Sequence, residues 1–166
     1  MWQETFKKEI FPLSDKLYRL AFSITGNKGD AEDTVQDVFT KLWQTKETLK
    51  RVDNLPAYCF RMVRNLAIDK TLLKDNQQLT IPEGFDFPES GKDVQTKIEE
   101  EEQLNQLDSF LEQLPEKQRT IFQLREIEEM SYKEIAEIVQ ITEEQVKIHL
   151  FRTRQKVKEY FINNYK

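Results

Sequence analysis

Five cations are concentrated near the C-terminal end of the sequence, where they predict contact with a polyanion. Residues 145–158 contain all five and no acidic residue: Lys147, Arg152, Arg154, Lys156 and Lys158. Cations bind the phosphates of nucleic acid, and other side chains projecting from the same helix reach base edges. A charge run alone is often only a solvated surface, so the elements that present it decide between these interpretations.

Two short predicted helices position this basic stretch. Each opens with a capping box, Ser131 with Glu134 and Thr142 with Gln145, in which the hydroxyl caps one backbone N–H and the third residue reaches back. A tight turn around Gln140 separates them. Apolar residues at helical spacing would pack the two helices together: Ile135, Ala136, Val139, Ile141, Val146, Leu150 and Val157. This is the outline of a helix-turn-helix, whose second helix enters the major groove, and it favours DNA binding over a solvated face.

The N-terminal part has the same helical period. One buried face is predicted at Phe6, Ile10, Leu13, Leu17, Leu20, Ala21 and Ile24, and the turn residues from Gly26 to Gly29 end it. Asp30 is predicted to cap a second helix, whose apolar stripe is Ala31, Val35, Val38, Phe39, Leu42 and Trp43. The opposite side of that helix forms a polar, acidic ridge suited to a basic partner surface: Asp33, Gln36, Asp37 and Thr40.

A third helix is predicted from the first turn at Pro56 to about Lys74, after a basic loop. Arg61, Arg64 and Asn65 cluster on one of its faces, away from the apolar residues Cys59, Met62, Val63 and Leu66. Positive charge follows a nucleic-acid strand and an amide reads a base edge, so this face is a second candidate for nucleic-acid binding.

Charge is distributed unevenly along the 166 residues. The net charge is −5, but residues 1–74 carry +3, residues 75–103 carry −7 and residues 104–166 carry −1. The middle segment combines two Pro and two Gly with four consecutive Glu, a composition that interrupts helices and stays solvated. We therefore predict an all-α protein of two small helical domains, 1–74 and 104–166, joined by a flexible acidic linker at 75–103.

The residues that carry enzyme or metal chemistry are sparse. A single cysteine, Cys59, and a single histidine, His149, give neither a disulfide framework nor a zinc site, and indicate a reducing cytoplasm. No nucleophile–base pair or phosphate loop stands out, and no run of about 18 apolar residues predicts a membrane span. We expect a cytoplasmic protein with no catalytic activity, cofactor or metal.

Three motifs, in order, resemble those of the extracytoplasmic-function (ECF) group of bacterial RNA polymerase sigma factors. They run from Asp30 to Trp43 (DAEDTVQDVFTKLW), from Leu55 to Lys70 (LPAYCFRMVRNLAIDK), and from Leu114 (LPEKQRTIF) into the helix-turn-helix. The resemblance covers nearly all of the chain. It implies a region 2 helical bundle and a region 4 helix-turn-helix, which direct core polymerase to promoters.

The resemblance also implies roles for particular residues. The acidic ridge Asp33, Gln36, Asp37 and Thr40 would bind the clamp helices of the polymerase β′ subunit. The third helix and the loop before it would melt the −10 element and hold a flipped, single-stranded base: Lys50, Arg51, Asn54, Arg61, Arg64 and Asn65. The recognition helix would read −35 duplex through Lys147, Ile148, Phe151 and Arg152. Further implied partners are the polymerase β subunit and an anti-sigma factor.

The sequence departs from the family pattern at the helix-turn-helix. Ile148 and His149 stand where many members have Ser and Arg, which implies a changed base preference, with Ile148 contacting thymine methyls. Gln140 stands where Gly often makes the turn, although Gln tolerates a left-handed backbone poorly. Two alternatives predict different partners. A helix-turn-helix repressor or activator would act without joining polymerase, and a helical adaptor would bind a protein through the ridge.

Overall fold

The computed structural model describes residues 1–78, 107 and 109–164, and all regular elements within these residues are helical. The N-terminal part contains α1 (Trp2–Thr5), α2 (Ser14–Thr25), α3 (Lys28–Gln44), α4 (Lys46–Leu49) and α5 (Leu55–Gln78). In the C-terminal part, residues 109–112 are helical, and α6 (Glu116–Phe122), α7 (Tyr132–Val139) and α8 (Glu143–Asn164) follow. The predicted all-α class is confirmed. Most of the predicted linker, residues 79–103, lies outside the described residues.

The first predicted helical face is buried as expected, but it does not belong to one regular helix. A π turn at Phe6–Ile10 and a 3₁₀ turn at Phe11–Leu13 separate α1 from α2. Pro12 lies in that 3₁₀ turn, where it has no N–H to donate to the preceding turn, and this interrupts the α-helical ladder. Ile10, Leu17 and Leu20 are still fully buried, because the chain keeps its helical direction through the interruption.

The turn between α2 and α3 corrects one prediction. Asn27, not Asp30, is the N-cap of α3, and its Oδ1 accepts the backbone N–H of Asp30 at 2.9 Å. Asp30 instead lies in the first turn, where a negative side chain suits the positive end of the helix dipole. Gly26 ends α2 with φ of 66°, a left-handed conformation that a residue without Cβ adopts at no steric cost.

Three helices form the N-terminal core. α2, α3 and α5 pack against one another, and their buried contacts come from the predicted apolar stripes, including Leu17, Val38, Leu42 and Val63. Cys59 is fully buried on α5, and burial raises the pKa of its thiol to about 12. The thiol is therefore a packed apolar group, as the sequence predicts.

The C-terminal helices form the predicted helix-turn-helix. Ser131 Oγ accepts the Glu134 N–H at 3.1 Å to start α7. At the start of α8, Thr142 Oγ1 accepts the Gln145 N–H at 3.1 Å, and Gln145 Oε1 accepts the Thr142 N–H at 3.0 Å, so this capping box is complete in both directions. Gln140 makes the turn with φ of 63°, the left-handed conformation that its side chain disfavours.

The N-terminal and C-terminal parts pack against each other through α5 and α7. Buried residues of both parts belong to one continuous apolar cluster, with Phe60 on α5 and Ile138 on α7 each almost fully buried. The helix-turn-helix therefore lies directly against the third predicted helix, an arrangement that the sequence does not predict.

Candidate polymerase and nucleic-acid surfaces

The acidic ridge of α3 is exposed along its length. Asp33, Gln36, Asp37 and Thr40 all face solvent, while Thr34, Val35 and Val38 between them are buried. The structure therefore groups the four predicted residues on one face. Lysines of α5 flank it: Lys70 Nζ lies 3.0 Å from Asp37 Oδ2, and Lys74 pairs with Asp30. The Asp37 side chain remains 55% exposed, so its carboxylate is accessible to a partner.

The loop before α5 borders an open cavity of about 1030 Å³. Lys50 and Asn54, both predicted site residues, line it together with Trp2 and Lys46. Asn54 also caps α5, since its Oδ1 accepts the Ala57 N–H at 3.1 Å. The participation of Trp2 has no signal in the sequence, because it depends on α1 folding back so that Trp2 meets Trp43 edge to face at 6.1 Å.

The predicted residues of α5 do not all face solvent. Asn65 is exposed, but Arg61 and Arg64 are partly buried, and only 12% of the Arg64 side chain is accessible. Both arginines contact the C-terminal part: Arg64 binds the carboxylate of Glu116, and Arg61 donates to the backbone carbonyl of Glu137. Glu116 and Glu137 are therefore residues at this site that sequence reasoning missed.

The recognition helix α8 presents its four predicted residues outward. Lys147 and Arg152 are exposed, and the apolar side chains of Ile148 and Phe151 are 49% and 65% accessible. Two exposed apolar side chains beside these cations suit contact with thymine methyls. On the far side of the helix, Val146 and Leu150 are buried and fix its orientation.

The five cations of the basic stretch do not have the same role. Arg154 Nε lies 2.6 Å from Glu126 Oε1, and this hydrogen bond raises the pKa of the Arg154 guanidinium. Lys156 Nζ donates to Gln118 Oε1 at 3.1 Å. These two residues attach α8 to its own domain, whereas Lys147 and Arg152 project with the candidate base contacts.

His149 is half-buried behind this surface. Burial and the nearby charges of Lys117 and Arg152 lower the pKa of its imidazole below the ordinary 6.5. Within residues 1–78 and 109–164, no group of His, Cys, Asp and Glu is arranged to hold a metal ion. Among the same residues, no helix is long and apolar enough to cross a membrane.

The fold is that of a two-part helical protein with an exposed acidic ridge on α3 and candidate DNA-binding faces on α5 and α8. The sequence matches the family described as Sigma-70 region 2 over residues 12–77, and Sigma-70 region 4 over residues 104–157. The chain belongs to the sigma-70 family of RNA polymerase sigma factors, in its ECF group, and directs polymerase to promoters. The match to region 2 disfavours the alternative of a helix-turn-helix regulator that acts without polymerase.

Individual relatives agree with this assignment. The RNA polymerase sigma factor SigV of Bacillus subtilis (strain 168) is 30% identical over 81% of this chain and 78% of its own. The ECF sigma factor SigM of the same organism is 28% identical over 92% of this chain and 93% of its own. CnrH, solved in complex with the cytosolic domain of CnrY, superposes with a TM-score of 0.72 at 20% identity, covering 98% and 90% of the two chains, and supports the fold.

Proposed function

We propose that the two parts of the chain divide promoter recognition between them. The part before the predicted linker docks on core polymerase through the ridge of α3 and opens the −10 element on α5. The part after it reads −35 duplex with α8. The observation that carries this proposal is the placement of the ridge, the α5 face and the α8 face on three separate helices with opposite charge character.

The −35 contacts follow from the geometry of α8. Lys147 and Arg152 provide phosphate or base-edge contacts, while Ile148 and Phe151 pack against thymine methyl groups in the major groove. The capping box at Thr142 fixes the start of the helix, which is the end that enters the groove in helix-turn-helix proteins.

The −10 contacts combine charge with a cavity. Arg61 and Arg64 follow the backbone of the single strand, and the amides of Asn54 and Asn65 read base edges. The cavity bordered by Lys50 and Asn54 accommodates a base swung out of the stack. Arg51 is exposed in the same loop and adds positive charge at the cavity entrance. We assign no bond-forming chemistry to this chain, since binding energy alone offsets the cost of unstacking, about a few kcal/mol.

Two protein partners complete the proposal. The ridge binds the basic β′ clamp helices of core polymerase, with further contact to the β subunit. A second partner is an anti-sigma factor, by analogy with CnrH, whose solved structure contains the cytosolic domain of CnrY. Both partners place the protein in the cytoplasm.

Replacement of Asp37 tests the docking role. Asp37→Arg introduces a like charge towards a basic partner, and we expect affinity for core polymerase to fall by roughly tenfold or more. The measurement is titration of labelled protein with core polymerase, followed by run-off transcription. Glu4→Arg, which makes the same charge change at an exposed position of α1, is the control and should bind core as the wild type does. Unchanged affinity of Asp37→Arg would refute the role of the ridge.

A further inference from the structure

The open cavity between α1 and the loop before α5 has an aromatic wall. Its volume of about 1030 Å³ is at the upper end of the range for small-molecule sites, about 300–1,000 Å³. Among the described residues that line it, Trp2 is the one with an aromatic ring, whereas Leu49 and Val52 are aliphatic. Every nucleobase has a flat π-face, which stacks on aromatic side chains. Trp2 is therefore the lining residue best suited to bind a base.

The packing of Trp2 leaves its ring able to stack. Trp2 meets Trp43 with ring centroids 6.1 Å apart and an interplanar angle of 88°, an edge-to-face contact. Such a contact uses at most one face of either ring. Trp43 is itself held by Phe6, whose ring centroid lies 5.4 Å away, and Lys46 Nζ lies 5.8 Å from the Trp43 ring centroid. Trp2 is thus anchored against a fixed aromatic group, yet it is only half-buried and borders the cavity.

The indole N–H of Trp2 is a second, independent observation. Within residues 1–78 and 109–164, Trp2 Nε1 is buried and has no hydrogen-bond partner. A buried donor without an acceptor is uncommon, because nothing compensates for its desolvation. A rotation of the ring into the cavity would bring this N–H to an acceptor, and nucleobases carry acceptors at ring nitrogens and carbonyl oxygens. A role in packing alone leaves the unpaired donor unexplained.

The cavity is continuous with the face of α5 that is assigned to the −10 strand. A neighbouring cavity of about 300 Å³ shares residues 52–54 with it and extends to Arg61. The charges around the larger cavity nearly cancel, because two lysines and three carboxylates line it. A neutral base therefore suits this cavity better than a phosphate does, and the phosphates remain with Arg61. A strand on α5 can thus place one base against Trp2.

We propose that Trp2 is a base-binding residue of the −10 site. Its ring stacks on the base that enters the cavity, and its indole N–H donates a hydrogen bond to that base. The effect is confined to one nucleotide, which distinguishes binding by Trp2 from a role in packing α1. This inference rests on the −10 role assigned to the cavity under the proposed function.

The test combines loss of the base with loss of Trp2 in the complex with core polymerase. Fluorescein-labelled −10 single strands, from a promoter first located by run-off transcription, carry an abasic site at one position at a time. In the wild type, we expect one position at which the abasic site weakens binding by roughly fivefold or more, the stacking contribution of one base. With Trp2→Leu, the same abasic site should weaken binding by less than about twofold, because the base has already lost its stacking partner.

Two further variants separate stacking from packing. Trp2→Phe keeps an aromatic ring without the N–H, and it should retain most of the sensitivity to the abasic site. Phe11→Ala removes an aromatic side chain that is 60% exposed and does not line the cavity, so it should behave as the wild type does. Circular dichroism and urea denaturation verify that each variant is folded.

The outcomes distinguish this inference from the function beneath it. Loss of sensitivity with Trp2→Leu at one position, while sensitivity elsewhere is retained, supports the base-binding role. A Trp2→Leu chain as sensitive as the wild type at every position overturns that role and leaves the −10 assignment intact. A wild-type complex with no sensitive position overturns both, since no base would then enter the cavity.

Discussion

The two surfaces assigned to promoter DNA differ in what covers them. On α8, Ile148 and Phe151 project into solvent with Lys147 and Arg152 beside them. On α5, Arg64 is bound to a carboxylate and only 12% of its side chain is accessible. Both surfaces belong to one small chain, so the difference arises from packing between the two parts. Composition does not explain it.

This difference affects how each DNA reaches its surface. In this structure the candidate −35 face of α8 is open to solvent, whereas the candidate −10 face of α5 is partly covered by α6 and α7. Under the proposed function, duplex therefore reaches α8 directly, whereas a single strand on α5 competes with Glu116 for Arg64.

The largest expected effect comes from breaking the ion pair between Arg19 and Glu128, which joins the two parts. Arg19→Ala leaves the Glu128 carboxylate buried without its cation, and because 45% of the Arg19 side chain is exposed to solvent, the expected cost is about 1–3 kcal/mol. Native-state hydrogen exchange at α7 should accelerate accordingly. Lys50→Ala is the control, because its pair with Glu47 is largely exposed and contributes roughly 0–1 kcal/mol. Equal effects of the two substitutions would contradict a role of Arg19 in joining the two parts.

The next largest effect distinguishes duplex binding by the exposed face of α8 from single-strand binding by the covered face of α5. Arg152→Ala should weaken −35 duplex binding by about 1–3 kcal/mol, because an exposed cation of the recognition helix is lost. Single-strand binding should be unaffected. Anisotropy with both DNAs measures this, using duplex from a promoter first located by run-off transcription with core polymerase. Arg154→Ala is the matched control, since Arg154 binds Glu126, and it should change duplex binding much less. Equal losses would place the DNA on a different side of α8.

A smaller effect concerns the stability of the turn at Gln140, which connects α7 to α8. Gln140 has φ of 63°, and Gly adopts this conformation without strain, so Gln140→Gly should stabilise the C-terminal part by about 0.5–1 kcal/mol. Urea denaturation measures the gain. Gln155→Gly, in the exposed interior of α8, should instead destabilise by about 1 kcal/mol. A loss of stability at position 140 would show that the Gln side chain has a packing role there.

The smallest effect is a pH dependence of folding stability caused by His149, which lies half-buried on α8. The pKa of His149 is lowered in the folded chain, so the unfolded chain binds the proton more readily. The contribution of His149 to stability is therefore complete above about pH 6.5 and is lost as the pH falls below that value. His149→Gln should reduce this slope in urea denaturation at several pH values. An NMR titration that places the imidazole pKa at or above 6.5 would contradict this prediction.

Local patterns predicted much of this structure. The capping residues Ser131 and Thr142, the apolar stripes and the outward face of α8 all follow from spacings of a few residues. Errors arose where two local signals competed. Asp30 and Asn27 are both good N-cap residues, and in the structure Asn27 takes that position by accepting the Asp30 backbone N–H. Pro12 interrupts the first helix, although the apolar spacing of that segment correctly predicted its buried face.

The interface between the two parts was not predictable in the same way. Arg64 and Glu116 are separated by 52 residues, and Arg19 and Glu128 by 109. In sequence each of these groups is one charged residue among many, and nothing local marks its partner. The functional assignment of Arg61 and Arg64 came from family resemblance and helix face, whereas the contacts of Arg64 with the Glu116 carboxylate and of Arg61 with the Glu137 backbone carbonyl depend on tertiary packing alone.

The most direct test of the account is a distance between the two parts of one working molecule. Dyes attached through Lys7→Cys and Lys158→Cys, both at exposed sites, report the distance by energy transfer, while the buried native Cys59 stays unlabelled. We predict high transfer in the free chain and a large drop in the complex with core polymerase and promoter DNA. A polymerase complex that initiates transcription with transfer as high as in the free chain would contradict the account.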